Sequence, residues 1–115
     1  MQLTKTISIA VPLFFMLSAC GSKPALAPVT LTEQQNKLFQ QSCQTCHANA
    51  ASPAPQMGDI KAWEKRIEKG LPVLVQNAMQ GFNAMPAGGL CTICTPDDFE
   101  AMIRFMATAQ TTTQK

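Results

Sequence analysis

The stretch that decides the fold is Cys43-Gln44-Thr45-Cys46-His47, with the spacing Cys-x-x-Cys-His. One turn of helix presents both thiols on the same side, where they can add to the two vinyl groups of a haem. The imidazole that follows the second thiol then lies over the iron. This spacing is typical of c-type haem attachment, and His47 is the only histidine of the chain. The stretch therefore predicts one covalently attached haem c, with thioethers at Cys43 and Cys46 and His47 as an axial ligand.

Two other uses of the cysteine pair are possible if haem is absent. A thiol-redox pair of the thioredoxin kind stands in a βαβ unit, whereas Cys43 follows a predicted helix and no strand pattern surrounds it. A zinc structural module would combine Cys43 and Cys46 with a second pair, Cys91 and Cys94. Those pairs lie further apart than the pairs of zinc ribbons, and such a site would give His47 no role.

The second axial position of the iron points to methionine, because the chain has no other histidine. Met85 lies in a loop between glycines and precedes Pro86, which restricts its backbone and allows its sulfur to be presented rigidly. The remaining methionines after the motif lie too close to it or on predicted helices: Met57, Met79, Met102 and Met106. Met85 is therefore predicted to ligate the iron, and an open-site haem enzyme or gas sensor is the alternative if it does not.

Four helices and no convincing strand are predicted outside the motif. The first begins at a capping box of Thr30 and Glu33 and ends at Cys43. The second has Asp59 as its N-cap and ends before Gly70, which can adopt a left-handed conformation. These two segments place the motif between helices.

The third and fourth predicted helices follow the same local rules. Pro72 at a first helical position opens the third, which closes at Gly81. Thr95 is the N-cap of the fourth, with Pro96 and Asp98 in its first turn. Its apolar residues recur at i, i+3, i+4 and i+7, as Phe99, Met102, Ile103 and Met106. This is the clearest amphipathic helix in the chain.

Composition limits the chain to one small packed domain. It has 115 residues, of which 46% are hydrophobic and 14% charged, so intrinsic disorder is excluded. The net charge of +2 is spread without a basic stripe, which argues against a nucleic-acid partner. A folded part of roughly eighty residues usually needs a covalent staple, metal or cofactor in addition to its core.

The N-terminus has the pattern of a secretory signal peptide over residues 1–19. A lysine precedes an apolar run that is too short to cross a bilayer, which takes about 20 residues. Leu17-Ser18-Ala19-Cys20 resembles the lipobox of bacterial lipoproteins, in which the cysteine is acylated and becomes the mature N-terminus. We therefore predict lipidation at Cys20, a flexible tether to residue 30, a haem domain over 31–110 and a polar tail over 111–115. The alternative is an ordinary secretory signal with a chance cysteine.

Taken together, these features resemble the class I c-type cytochromes, and among them the small bacterial cytochrome c-five group. The resemblance covers most of residues 31–107. It rests on residues 43–47, Ala62-Trp63, Ala84-Met85-Pro86, Gly88-Gly89, Cys91-Thr92-Ile93-Cys94 and Ile103-Arg104-Phe105-Met106. It implies an all-α fold of about four short helices wrapped round one haem, with Phe39 and Phe99 packed where the first and last helices cross. The chain departs from the family in having Ala87 where proline is common and Phe105 where tyrosine is.

The resemblance also implies roles for four further residues. Cys91 and Cys94 would form a short disulfide, and parity agrees, since one lipid cysteine and two haem cysteines leave two of the five. Redox-active thiols are the alternative. Trp63 and Arg66 would contact the haem propionates, with a core tryptophan and a solvated arginine as the alternatives.

The function that the resemblance implies is electron transport and not enzymatic catalysis. The protein would carry single electrons from a quinol-linked or dehydrogenase donor to a terminal oxidase or reductase. Its lipid anchor would hold it to a membrane of the bacterial cell envelope, facing the periplasm.

Overall fold

A computed structural model describes residues 26–109 of the chain. In that range the elements are α1 (Glu33–Gln41), α2 (Gln44–His47), α3 (Ile60–Ile67), α4 (Leu71–Gln80), a 3₁₀ helix (Ala87–Leu90) and α5 (Pro96–Thr108). The predicted all-α class is confirmed, with α2 and the 3₁₀ helix added to the four predicted helices. No helix among these residues is long and apolar enough to cross a membrane. The signal peptide, Cys20 and the polar tail lie outside the described residues.

The start of α1 differs from the prediction by two residues. Its N-cap is Thr32, whose hydroxyl accepts a hydrogen bond from the Gln35 backbone N–H at 3.2 Å, and the predicted box of Thr30 and Glu33 is wrong. Both pairs have the right spacing, so local rules cannot choose between them. The side chain of Gln35 also donates to a carboxylate oxygen of Asp98 on α5 at 3.2 Å. This contact between helices favours the later start.

The end of α1 brings the haem motif to a separate short helix. Ser42 closes α1 with a non-helical backbone, and its hydroxyl donates to the Leu38 carbonyl at 2.6 Å. The bond satisfies one of the carbonyls that every helix end leaves free. The predicted continuation to Cys43 is therefore wrong, because Cys43 is instead the N-cap of α2.

The next two helices follow the local signals closely. The Asp59 carboxylate accepts from the Ala62 backbone N–H at 3.1 Å, which confirms it as the N-cap of α3. Gly70, with φ of +91°, turns the chain from α3 into α4, and Gly81 ends α4. Pro72 lies in the first turn of α4, where its missing N–H costs nothing.

The core lies where α5 crosses the other helices. Phe39 of α1 is buried and meets the edge of Phe105 of α5, with ring centroids 5.3 Å apart. The apolar stripe of α5 is buried as predicted, through Phe99, Met102, Ile103 and Met106. Such close packing of α1, α3 and α4 on α5 fixes the elements that carry the site.

Replacing Asp98 with alanine is expected to lower the free energy of unfolding by about 1 kcal/mol at neutral pH. Its carboxylate accepts from both the Thr95 backbone N–H, at 3.0 Å, and the Thr95 hydroxyl, at 2.8 Å. These bonds hold the pKa of Asp98 below its ordinary value. The contribution is therefore present above the ordinary carboxyl pKa and is lost as the pH falls through the lower folded value.

Urea unfolding of both proteins at several pH values measures this difference. Asp97→Ala is the matched control, because Asp97 is the exposed neighbour in the same helical turn. A pH-independent difference, or an equal loss in the control, would contradict the assignment of the cap to Asp98.

Candidate functional site

The predicted haem residues surround a single cavity. Its volume is about 430 Å³, within the usual range of ligand pockets, and it lies between α2, the following loop, α3, α4 and the 82–90 loop. The predicted site residues that line it are Cys43, Cys46, His47, Trp63, Arg66 and Met85. The fold thus brings together residues that three helices, α2 to α4, separate in the chain.

His47 offers one nitrogen to a metal. Its side chain is buried, and Nδ1 lies 2.8 Å from the carbonyl oxygen of Pro55. A carbonyl only accepts, so Nδ1 carries the proton and Nε2 keeps its lone pair. Burial lowers the pKa of His47, which opposes protonation of the ring. The imidazole is therefore held neutral and in the tautomer that a metal requires.

The two cysteines of the motif are both free thiols on the cavity wall. Cys43 is buried and Cys46 is half-buried, and neither forms a disulfide. Burial raises the pKa of the Cys43 thiol, so it stays protonated and uncharged at neutral pH. Two free thiols one helical turn apart match the two vinyl groups that haem c attachment uses.

Met85 reaches the cavity from a loop that two backbone hydrogen bonds hold in a fixed shape. Phe82 and Met85 exchange two backbone hydrogen bonds of 3.0 Å, which closes a tight turn with Asn83 at a φ of +55°. After Pro86 the chain enters the 3₁₀ helix. An ideal Cβ on Gly89 would lie 2.8 Å from the Met85 terminal methyl, so the Met85 side chain keeps this position only while residue 89 is glycine. The thioether is thus presented from outside any helix, as the sequence predicts.

A disulfide joins Cys91 to Cys94, with Cα atoms 5.5 Å apart. It connects the end of the 3₁₀ helix to Thr95, the N-cap of α5. The methionine loop is thereby tied to the helix that forms the core. Because this pair is oxidised, it is not available for a four-cysteine zinc site. Within residues 26–109, no group of three or more His, Cys, Asp or Glu side chains is placed to hold a metal ion.

The structure places Trp63 differently from the propionate contact predicted for it. The indole lies against His47, with ring centroids 5.8 Å apart, and its N–H donates to the Gln56 carbonyl at 2.8 Å. Indole has only this one donor, so that contact occupies it. The prediction for Trp63 is corrected accordingly: its indole N–H donates to a carbonyl of the 48–58 loop, for which the sequence predicts no regular structure.

Arg66 lies at the rim of the cavity, where its guanidinium donates to the Ala62 carbonyl at 2.6 Å and carries further N–H donors. Lys69 lines the same rim, with its ammonium 6.0 Å from the centre of the Phe82 ring. Among residues 26–109, these two are the charged side chains on the cavity wall, and both are cationic. A ligand with carboxylate groups at one edge would match this rim. The role of Arg66 stays a prediction.

Two features of the site have no clear sequence signal. The turn that presents Met85 depends on Asn83, a residue type that tolerates positive φ, and this is the one local hint of it. Gln56 bonds the motif through its side chain, with its amide nitrogen 3.2 Å from the Cys46 carbonyl oxygen. A single glutamine in an irregular loop gives no pattern from which such a bond could be predicted.

The donor set fits haem c. Free thiols, a neutral imidazole and a thioether line one mostly apolar cavity, and two cations at its rim could face carboxylates. Haem presents the complementary groups: two vinyls, an iron with two axial positions and two propionates. A thiol-redox pair would leave the imidazole, the thioether and the cavity without a role.

Comparisons with known proteins agree with this reading of the site. The family model described as cytochrome c oxidase, cbb3-type, subunit III matches residues 30–106. Cytochrome c5 of Azotobacter vinelandii is 37% identical over 67 residues, which are 56% of this chain and 81% of that protein. Cytochrome c5 of Ectopseudomonas mendocina is 33% identical over 72 residues, which are 61% of this chain and 83% of that one.

A solved structure is similar in fold as well. It is the crystal structure of an electron transfer complex of nitrite reductase with cytochrome c. The match has a TM-score of 0.59 and 29% identity, and it covers 68% of this chain and 95% of that one. The likeness extends over almost the whole of the matched chain.

Proposed function

This chain belongs to the cytochrome c family and carries covalently attached haem c, and from that premise we propose that it transfers single electrons between redox proteins while lipid-anchored to a bacterial membrane. The observation that carries the proposal is the placement of His47 and Met85 around one cavity. His47 and Met85 would hold the haem iron through an imidazole and a thioether, and an iron held by both would offer no open position to a substrate. When bound, the haem supplies one-electron oxidation and reduction.

The residues of the chain support this use in three ways. The bond to Pro55 keeps the His47 ring in the ligating tautomer. As an iron ligand, the thioether of Met85 would favour ferrous iron and so raise the midpoint potential. The helices and the disulfide-tied loop hold both side chains in place, so that little rearrangement accompanies a change of one charge. A carrier needs this rigidity, whereas an enzyme needs an accessible site.

Redox proteins are the expected partners. The similar solved structure is a cytochrome c complexed with nitrite reductase, and this supports a reductase as one class of acceptor. A thioether-ligated haem has a high potential, so its donors would be quinol-linked or dehydrogenase proteins of lower potential. A terminal oxidase is the other class of acceptor. The proposed place of transfer is the periplasmic face of the cell envelope.

Carbon monoxide tests the carrier function directly, because it binds ferrous haem only at an open axial position. The ferrous wild-type protein, matured in a host that attaches haem c, is expected to keep its visible spectrum under carbon monoxide. Acid-acetone extraction of the same sample should leave the haem on the polypeptide. Rapid carbon monoxide binding would favour an open-site enzyme or gas sensor, and extractable haem would contradict covalent attachment.

Replacing Cys20 with serine is expected to release the protein from the membrane fraction without changing its haem spectrum. The proposal of an anchor rests on the lipobox-like Leu17-Ser18-Ala19-Cys20, because a single acylated cysteine is what such a motif provides. Fractionation and intact mass of the wild type and variant provide the measurement. A wild-type chain that carries no fatty acid would contradict the anchor and leave the electron-carrier proposal intact.

A further inference from the structure

Gln56 uses its side chain and its backbone to join three parts of the site. Its amide nitrogen donates to the Cys46 carbonyl at 3.2 Å and to the Ala54 carbonyl at 2.9 Å. Its own carbonyl accepts the indole N–H of Trp63 at 2.8 Å. Both amide hydrogens and the backbone acceptor are therefore bonded within a half-buried loop. A side chain that only filled space there would not need this many partners.

The residue held between these bonds is Pro55. Its carbonyl is the acceptor for His47 Nδ1, and because proline has no N–H, the peptide group before it offers no donor to fix this residue. Its position depends on its neighbours instead. Gln56 supplies the bonds on both sides of that carbonyl, and the Met57 backbone N–H adds one to the His47 carbonyl at 2.7 Å. The segment 54–57 is thus tied to the motif around the histidine bond.

The strength of the His47 bond depends on this placement. An N–H···O bond weakens steeply as its distance grows or its angle closes, so a small shift of the Pro55 carbonyl changes it. A strong bond from Nδ1 makes Nε2 a better electron donor to a metal, and a weak bond makes it a poorer one. Better donation favours ferric iron and lowers the potential.

We propose that Gln56 is a positioning residue for His47, which holds the Pro55 carbonyl against Nδ1 and thereby sets how strongly His47 donates to the haem iron. The inference rests on the proposed function, since it assumes His47 as the axial ligand. It assigns Trp63 a part in the same arrangement, through the bond to the Gln56 carbonyl, in place of a propionate contact.

Gln56→Met tests the proposal, because methionine has nearly the same length and no N–H donor. Two properties of the haem-loaded protein are measured: the midpoint potential, and by NMR the solvent exchange of the His47 Nδ1–H in the diamagnetic ferrous state. The potential is expected to rise. The Nδ1–H is expected to exchange about tenfold faster, the effect of losing roughly one net hydrogen bond.

Two further variants separate positioning from general stability. Gln76→Met makes the same chemical change at an exposed site of α4 and is expected to leave potential and exchange unchanged. Trp63→Phe keeps an aromatic ring beside His47 but removes the N–H that bonds the Gln56 carbonyl, and it is expected to shift both properties in the direction of Gln56→Met.

A lower melting temperature of Gln56→Met with an unchanged potential and unchanged Nδ1–H exchange would overturn the proposal, since Gln56 would then only stabilise the loop. If that variant loads no haem, Gln56→Asn replaces it. Its side chain is one methylene shorter and cannot bridge both carbonyls, and the same shifts are expected. Failure of the proposed function is distinguishable, because it would be seen in the wild type as the absence of histidine-ligated haem.

Discussion

Replacing Met85 with alanine is expected to abolish the weak red absorption band of the ferric protein and to let the ferrous protein bind carbon monoxide. Met85 is half-buried on the cavity wall, and alanine cannot reach the iron from the same loop. Loss of the thioether also removes its preference for ferrous iron. The midpoint potential should fall by on the order of 0.1 V or more, because axial ligands move haem potentials over about 0.8 V.

Visible spectra and redox titration of the two proteins measure these changes. Met79→Ala is the matched control, since Met79 lies on α4 with 44% of its surface exposed and does not line the cavity. It should change neither the band nor the potential. A Met85→Ala protein with the wild-type band and potential would show that another group ligates the iron.

Replacing Gly89 with alanine is expected to weaken or break the bond between the Met85 sulfur and the iron without removing the ligand. The added Cβ would stand 2.8 Å from the Met85 terminal methyl, too close for the methionine to keep its place. The end of a methionine side chain is flexible, so it would move away at small cost to stability. The red band should shrink markedly, and carbon monoxide should gain access to the ferrous iron.

Gly88→Ala provides the control for backbone strain. Gly88 and Gly89 both have positive φ, +74° and +54°, but a Cβ on Gly88 meets nothing within 4 Å. Each variant should therefore lose about 1 to 2 kcal/mol of unfolding free energy from the left-handed conformation. Only Gly89→Ala should also change the spectrum. Equal spectra for the two variants would mean that Gly89 does not shape the ligand's position.

Local sequence rules predicted the parts of this protein that depend on neighbours in the chain. The Cys-x-x-Cys-His spacing places two thiols and an imidazole on one helical turn whatever the rest of the fold does. The capping residues Asp59 and Thr95 and the apolar stripe of α5 are local in the same sense, and the structure confirms them. Glycine and proline around Met85 indicated a loop that could present a sulfur.

Long-range contacts decided the structural features that local sequence rules could not predict. Thr30 and Thr32 have equally good capping patterns, and only the bond from Gln35 to Asp98 across two helices favours the second. The indole N–H of Trp63 could have met any acceptor near the cavity, and the path of the 48–58 loop gave it the Gln56 carbonyl. Such choices depend on where distant segments meet, and one sequence contains no periodic signal for that.

At the haem site, too, some properties follow from the local sequence and others from the tertiary structure. The sequence by itself determined the haem-attachment motif of Cys43, Cys46 and His47, because residue type and spacing set that chemistry, and it predicts Met85 as the second ligand. Only the tertiary structure decided how firmly the groups are held: the tautomer of His47 through Pro55, the room for Met85 at Gly89 and the ties made by Gln56. These depend on distances of about 3 Å between segments that folding alone brings together.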